Sequence, residues 1–487
     1  MPQFFMVDTH RGEFPMMTRR QMQSLMSAFG LMVGTRALAA DSPFHGRWTG
    51  VLAAGAVRLT LRLEIDAKGA TLFSVDQGNA RIPASRVAIE DERIKLAFAA
   101  IKATFEGVLT DDHHIDGTFT QGAPLPLRFT RGEVAEATPE PVYPPLTREL
   151  LNDKRLAAYT PGMAAAWSRG TQTEIFAAGA RSSEDEIAVQ MEDQWHWGSI
   201  TKSMTATLCA RLVDAAAIKW TTKVGEVLDE RGSPVPAAYR DATLLHLLSH
   251  RAGLQPNLDG INAVFYSRDP LPDPRAERRK WALAALKQKP VGPVGAQNVY
   301  ANNGYIIAGA MLEQLSGKSW ETLIQTELFT PLGITSAGFG APGRPGQMDQ
   351  PLGHAVNGHK RKPMPVGPGL PTDNPVALGP AGRVHMSMAD MLLYLRAHRD
   401  RPASLLKPES WDALHTPHFG DEYALGWVVR PDGALWHNGS NTMWYGEVLV
   451  DAKAGTVAAA CANDAAPDTM TAVGSVLMSA RAAAGSL

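Results

Sequence analysis

Strand candidates stand at both ends of the long C-terminal stretch of this chain, and that placement limits the fold more than any other feature. Residues 163–167 and 174–178 open the stretch, joined by a polar turn around Gly170. Residues 425–429, 434–437, 446–450 and 456–462 close it, with Pro431-Asp432-Gly433 and residues 452–455 as turns. Short turns between neighbouring strands predict antiparallel pairing. Between about 220 and 340 the pattern is mostly helical, broken by Pro and Gly loops, and a final helix is expected over 469–484. The expectation is an α+β fold: an antiparallel sheet built from both ends, helices on its faces, and a helical insertion between.

At 487 residues the chain exceeds one ordinary core, so a second domain is expected. It lies upstream. Residues 57–65 alternate apolar and polar for nine positions, and shorter runs follow at 71–75, 86–89, 94–98, 104–109, 115–119 and 125–129. Their regular spacing predicts an up-and-down meander closing into a small all-β barrel or sandwich. Asp111, Asp112, His113 and His114 fall between two of these strands and read as a solvated hairpin turn rather than metal ligands. The Pro-rich stretch 133–146 reads as a semi-stiff linker. Before the β domain, Thr18-Arg19-Arg20, an apolar run over 22–33 and Ala37-Leu38-Ala39 read as an export signal, with a hint of the twin-arginine route. The expected organisation is therefore extension and signal at 1–40, β domain at 41–132, linker at 133–146 and main domain at 147–487.

The chemistry centres on Gly198-Ser199-Ile200-Thr201-Lys202. Ile200, Met204, Leu208 and Leu212 recur every four residues, predicting a helix with one buried side. A spacing of three puts Lys202 on the face of Ser199. A serine hydroxyl needs a neighbouring base, and a partly desolvated lysine can be that base or shift another group that is. Alone, the motif equally fits a helix-entry serine and a surface lysine. Ser404 and Lys407 repeat the spacing, but Pro408 follows that lysine and no long apolar helix does, so the copy is structural.

Two further segments add partners. Tyr300-Ala301-Asn302 precedes an apolar helix running to Leu315. An ammonium on Lys202 would favour a phenolate on Tyr300, and Asn302 would bond both Lys202 and a substrate amide. His437-Asn438-Gly439-Ser440 ends a strand candidate, where Gly439 permits close backbone approach and the Ser440 N–H offers a second oxyanion donor beside that of Ser199. Asn438-Gly439 also fits a plain hairpin turn.

Taken in order, these three segments resemble the serine β-lactamase and penicillin-binding protein superfamily, on the branch of class C β-lactamases (S12-type), family VIII carboxylesterases and D-aminopeptidases. The stretch from Thr243 through His246 and His250 to Leu254, Pro331-Leu332-Gly333-Ile334 and Tyr423-Ala424-Leu425-Gly426-Trp427 support the resemblance, which covers about 147–487. It implies a β-lactamase-like α/β sandwich with a helical subdomain. It also implies an acyl-enzyme mechanism with Ser199, Lys202 and Tyr300 as catalytic residues, and Asn302, His437, Gly439 and Ser440 on the substrate. No cofactor or metal is implied, and His246 and His250 become scaffold.

One departure bears on substrate. Class C β-lactamases carry Lys-Thr-Gly where this chain has His437-Asn438-Gly439. A histidine is mostly neutral at pH 7, so weak β-lactam turnover is expected, with esters or D-amino-acid peptides and amides as better substrates. The alternative is a penicillin-recognising sensor that acylates without turnover. A net charge of −2 without a basic run argues against nucleic acid, and no stretch is long enough for a stable membrane span. The expected partner is a small or peptide substrate, and the expected location is exported, in a bacterial periplasm. Cys209 and Cys461 sit in apolar segments and read as buried small hydrophobes.

Overall fold

The computed structural model describes residues 42–54, 57–74, 80–101, 103–121, 123–132, 142–230, 234–258, 273–367 and 372–486. The export signal and most of the expected linker lie outside the described residues.

Nine antiparallel strands form the N-terminal unit: β1 (Gly46–Ala54), β2 (Val57–Asp66), β3 (Gly69–Ser74), β4 (Ala80–Pro83), β5 (Arg86–Glu90), β6 (Arg93–Phe98), β7 (Ala103–Asp111), β8 (His114–Gln121) and β9 (Ala123–Arg131). Their order is β4-β3-β2-β1-β9-β8-β7-β6-β5. The two edge strands, β4 and β5, are separated by only Ala84 and Ser85. Ala84 N–H bonds Ala70 of β3, and Ser85 N–H bonds Ala97 of β6. Three Cα steps span at most about 11 Å, whereas the edges of a flat nine-stranded sheet would stand about 38 Å apart. The sheet must therefore curl on itself, as the meander pattern predicted. Phe44, Trp48, Leu63, Leu72, Leu96, Phe105 and Phe129 fill its inside, each adding about 1.5–3 kcal/mol by burial. Arg131 lies 4.0 Å over the Trp48 ring and donates to the His45 carbonyl at 2.6 Å, tying the last strand to the first. β1 and β4 were not among the strands singled out in the sequence. At the β7–β8 hairpin His114 Nδ1 meets Asp111 Oδ2 at 2.8 Å in an exposed turn, and no metal-binding group exists among the described residues.

In the main domain six strands form an antiparallel sheet: β10 (Gly162–Arg169), β11 (Gln172–Gly179), β17 (Val428–Val429), β18 (Leu435–Ser440), β19 (Tyr445–Asp451) and β20 (Thr456–Ala462). Their order is β11-β10-β20-β19-β18-β17, so the two ends of the domain meet where β10 pairs β20. The central strands are buried on both faces. Alanines at 164, 165, 166, 458, 459, 460 and 462 let helices approach from either side. Helices α1 (Arg148–Ala157) and α7 (Pro467–Gly485) cover one face, packing Leu151, Val473 and Leu477 against Met163 and Leu449. The other face carries α2 (Thr201–Asp214) and α6 (Met388–Asp400), together with the helical insertion of α3 (Leu244–Leu248), α4 (Pro274–Lys287) and α5 (Asn302–Ser316). A three-stranded sheet, β12 (Gln194–His196), β16 (Val384–Ser387) and β13 (Gly338–Phe339), and a hairpin of β14 (His354–Asn357) and β15 (Lys360–Pro363), complete the unit.

Two expectations need correction. Helix α2 is not buried on one side only: every residue from Thr201 to Ala210 is buried. Ser203, Thr205 and Thr207 tolerate this because their hydroxyls bond the carbonyls of Ile200, Pro380 and Ser203 at 2.8, 2.7 and 2.9 Å. His437 to Ser440 lie inside β18, paired with β19, so Asn438-Gly439 is not a hairpin turn.

Candidate active site

The chain leaves β12 through Trp197, whose backbone N–H and ring N–H bond the carbonyls of Val384 and Met386 on β16. Gly198 has φ +47, and a Cβ there would stand 2.2 Å from the Ser440 nitrogen. Only glycine fits that turn. It leads into a single 3₁₀ turn, Gly198–Ile200, from which α2 continues. Three residues per turn eclipse positions i and i+3, which brings Lys202 over Ser199. Lys202 Nζ is 2.9 Å from Ser199 Oγ and donates to the Ala381 carbonyl at 2.7 Å.

Lys202 is wholly buried while Ser199 remains partly open. Both hydrogen-bond partners of the amine are uncharged, and burial holds its pKa well below the usual lysine value. An amine that gives up its proton more readily is better able to accept the serine proton.

Tyr300 reaches the same serine from the loop before α5. Although 41% of the residue is open to solvent, its hydroxyl lies inward against Ser199. Loss of hydration pushes the phenol above its usual value, partly offset by that hydrogen bond. That direction is opposite to the phenolate expected of it, although Lys202 lies 4.8 Å from the Tyr300 ring. Asn302 departs from expectation as well. Its amide donates to Asn257 Oδ1 at 2.8 Å, and not to Lys202.

The sheet supplies the opposite wall. A Cβ on Gly439 would stand 2.0 Å from the Trp197 oxygen and 2.7 Å from the Ser199 nitrogen, so β18 lies against the serine turn. Ser440 Oγ is spent on the Trp444 carbonyl at 2.7 Å. His437 is buried with both nitrogens bonded inside the protein, Nδ1 to the Asn438 oxygen at 2.6 Å and Nε2 to the Tyr423 hydroxyl at 3.1 Å. Burial, with Lys202 nearby, takes its pKa down to about 3. Both ring nitrogens of His437 are therefore engaged within the protein, leaving neither free for the substrate contact expected of it. Trp197 and Trp444 are fully buried core.

Sequence reasoning missed the support beneath the serine. His196 Nδ1 accepts the Gly198 N–H at 3.1 Å, and its Nε2 faces Asp373 at 2.8 Å. Burial alone would raise the Asp373 carboxyl, but Arg383 at 2.7 Å and His196 together hold it well below the usual range. These partners lie too far apart along the chain for spacing to reveal them. The decoy at Ser404 and Lys407 is structural: Lys407 bonds Asp214 by its backbone N–H and caps the helix Pro408–His415.

The Beta-lactamase family model matches residues 150–481, which takes in every residue of this cleft. The chain belongs to that family. It is a hydrolase of that class. Penicillin-binding protein 4 of Amycolatopsis lactamdurans is 27% identical over 334 residues, 65% of this chain and 84% of the relative. Among solved structures, the D-amino acid amidase of Ochrobactrum anthropi SV3 superposes with a TM-score of 0.56 at 18% identity, covering 69% of this chain and 98% of the amidase. EstCE1, described as a hydrolase with promiscuous acyltransferase activity, gives 0.57 at 16% identity over 68% and 97%. The β-lactamase-type fold covers the main domain and not the curled β unit.

Proposed function

We propose that this chain is an exported serine hydrolase that cleaves an ester or amide through an acyl-enzyme on Ser199. The observation that carries it is the contact of a fully buried lysine amine, with uncharged partners, with the oxygen of a partly exposed serine. Lys202 takes the Ser199 proton as Oγ attacks the carbonyl carbon. The backbone N–H groups of Ser199 and Ser440 stabilise the oxyanion. Tyr300, a neutral phenol touching Ser199, passes a proton to the leaving group and is restored from Lys202. Water then adds to the acyl carbon with the same groups reversed, releasing the acid and the free serine. Gly439 lets β18 close over the acyl group, and Asn302 lines the far side of the cleft.

His437 keeps both nitrogens engaged and stays uncharged, so it offers no fixed positive charge to a substrate carboxylate. That favours esters and D-amino-acid amides or peptides over penicillins and cephalosporins. Export rests on the arginine pair, apolar run and Ala37-Leu38-Ala39 of the N-terminal stretch. No described helix is long and apolar enough to cross a membrane.

Intact mass of the purified protein, followed over time with a penicillin, a p-nitrophenyl ester and a D-amino-acid anilide, tests this reading, with Ser199→Ala as control. Turnover of the ester or anilide that vanishes in Ser199→Ala is expected. A lasting penicillin adduct without turnover of any substrate would make the protein a sensor instead. Full activity in Ser199→Ala would remove the nucleophile.

A further inference from the structure

Tyr300 stands in a loop, outside any helix or strand, yet its hydroxyl must meet Ser199 to within a fraction of an ångström. Something must fix that loop. His250, two residues beyond the end of α3, touches it at three successive positions. Its carbonyl accepts the Val299 N–H at 2.9 Å, its Nδ1 accepts the Ala301 N–H at 3.1 Å, and its ring lies on the Tyr300 ring with centroids 4.3 Å apart. The same ring packs on Tyr423 at 4.6 Å, and the Tyr423 hydroxyl bonds His437 on β18. His250 is thus wedged between the wall that carries Tyr300 and the wall that carries His437 and Gly439.

The next residue repeats the grip. Arg251 pairs with Asp421 through Nε at 3.1 Å, and Asn298 donates to the same carboxylate oxygen at 3.0 Å. One corner of the chain therefore holds both 298–301 and 421–423. His250 has φ +60, a strained backbone state for a non-glycine residue, kept where the surroundings enforce it. Because Nδ1 accepts, the ring proton sits on Nε2, and protonating Nδ1 would break the Ala301 bond. Burial, with Lys202 and His437 nearby, holds the ring's pKa well below the usual histidine value.

We infer that His250 is the positioning residue for Tyr300: it sets the height and tilt of the phenol over Ser199 and spaces it from β18. This rests on the Ser199–Lys202–Tyr300 reading above. His250 touches neither substrate nor the reacting atoms, so it acts only through the tyrosine.

The test compares His250→Asn, His250→Gln and His250→Ala. Asparagine places an oxygen where Nδ1 stands and tolerates positive φ; glutamine sets its oxygen one carbon too far. With p-nitrophenyl butyrate as substrate, His250→Gln and His250→Ala should lose about 10–100-fold in kcat with KM little changed. His250→Asn should recover most of that loss. In a Tyr300→Phe background the His250 substitutions should cost less than about twofold more, since the group they position is gone. Should His250→Ala fail to fold, the Asn–Gln pair carries the comparison, with melting temperature measured for each. Equal kcat for Asn and Gln, or losses that add in full to that of Tyr300→Phe, would overturn the inference while leaving the Ser199 mechanism standing. An active Ser199→Ala would overturn both.

Discussion

Gly439→Ala is the smallest change that should disable this site, and its effect can be worked from distances. The added carbon would stand 2.0 Å from the Trp197 oxygen, 2.7 Å from the Ser199 nitrogen and 3.0 Å from the Ile200 nitrogen. All three are backbone atoms of the serine turn, so no side chain can swing aside. An ordinary contact begins near 3.4 Å, so β18 and the turn must part by more than 1 Å. That separates the N–H groups of Ser199 and Ser440, the two donors proposed for the oxyanion. A displacement of about 1 Å costs about 100-fold in rate, and loss of one oxyanion donor about 100–1,000-fold. The expected result is a kcat at least about 100-fold below wild type. Overpacking should also destabilise the fold by about 1–3 kcal/mol. Steady-state hydrolysis of a p-nitrophenyl ester and a thermal melt measure both, with Gly485→Ala as a control because nothing lies within 4 Å of its would-be Cβ. A Gly439→Ala protein with wild-type kcat would show that β18 does not close on the serine turn, and the oxyanion assignment would fall.

Lys202→Met should abolish turnover yet raise stability. The folded lysine loses its proton more readily than the unfolded one, so between the two pKa values the unfolded chain binds the extra proton, and wild-type stability rises with pH. The methionine's advantage in denaturant melts should therefore shrink as pH climbs toward 10.5; no such trend would mean the lysine is charged when folded. Glu447, buried against the Trp436 and Tyr445 side chains, has its carboxyl raised by burial to about 7. Here the folded state holds the proton, so stability should fall as pH rises from 4.5 to about 7, by about 3 kcal/mol in all, and Glu447→Leu should flatten that slope. Cys209 and Cys461 are buried with their thiols pushed upward, so a disulfide-exchange reagent should label neither until denaturant is added.

Where the sequence could be read, the reason is local. Residues 57–65 alternate because β2 has one face inside the curled sheet, and 456–462 coincide with β20 because turn residues bound it on the near side. Ser199, Lys202 and Tyr300 stand out because their short-range spacing and their order along the chain carry the family resemblance. The misses share a different cause. β12, β13 and β16 are two to four residues long, too short for any period to register. The Ala381 carbonyl on Lys202, the Asn257 amide on Asn302 and the Asp373 carboxylate on His196 are partnerships across the fold. The sequence leaves Lys202 open as base or as ammonium for the same reason. Only the packing decides between them, and here burial lowers its pKa well below the usual lysine value.

That last point orders the whole site. Around Ser199 the groups that touch one another are Lys202, Tyr300, Tyr305, Tyr423, His250 and His437, and burial drives each of them toward its uncharged form. The ion pairs stand one layer further out, where Asp373 is matched by Arg383 beside His196, and Asp421 by Arg251. A free carboxylate within hydrogen-bond reach of Lys202 would stabilise its ammonium and cost the enzyme its base. Pairing Asp373 and Asp421 with arginines keeps those two carboxylates from doing so. His437, with both nitrogens engaged, offers no fixed cation to a carboxylate-bearing substrate. In the proposed mechanism burial therefore serves both ends, a basic Lys202 and an uncharged His437 facing neutral esters and amides, and placing a cation at position 437 by His437→Lys should test both together: stronger penicillin acylation gained, and general-base efficiency lost through repulsion between two amines.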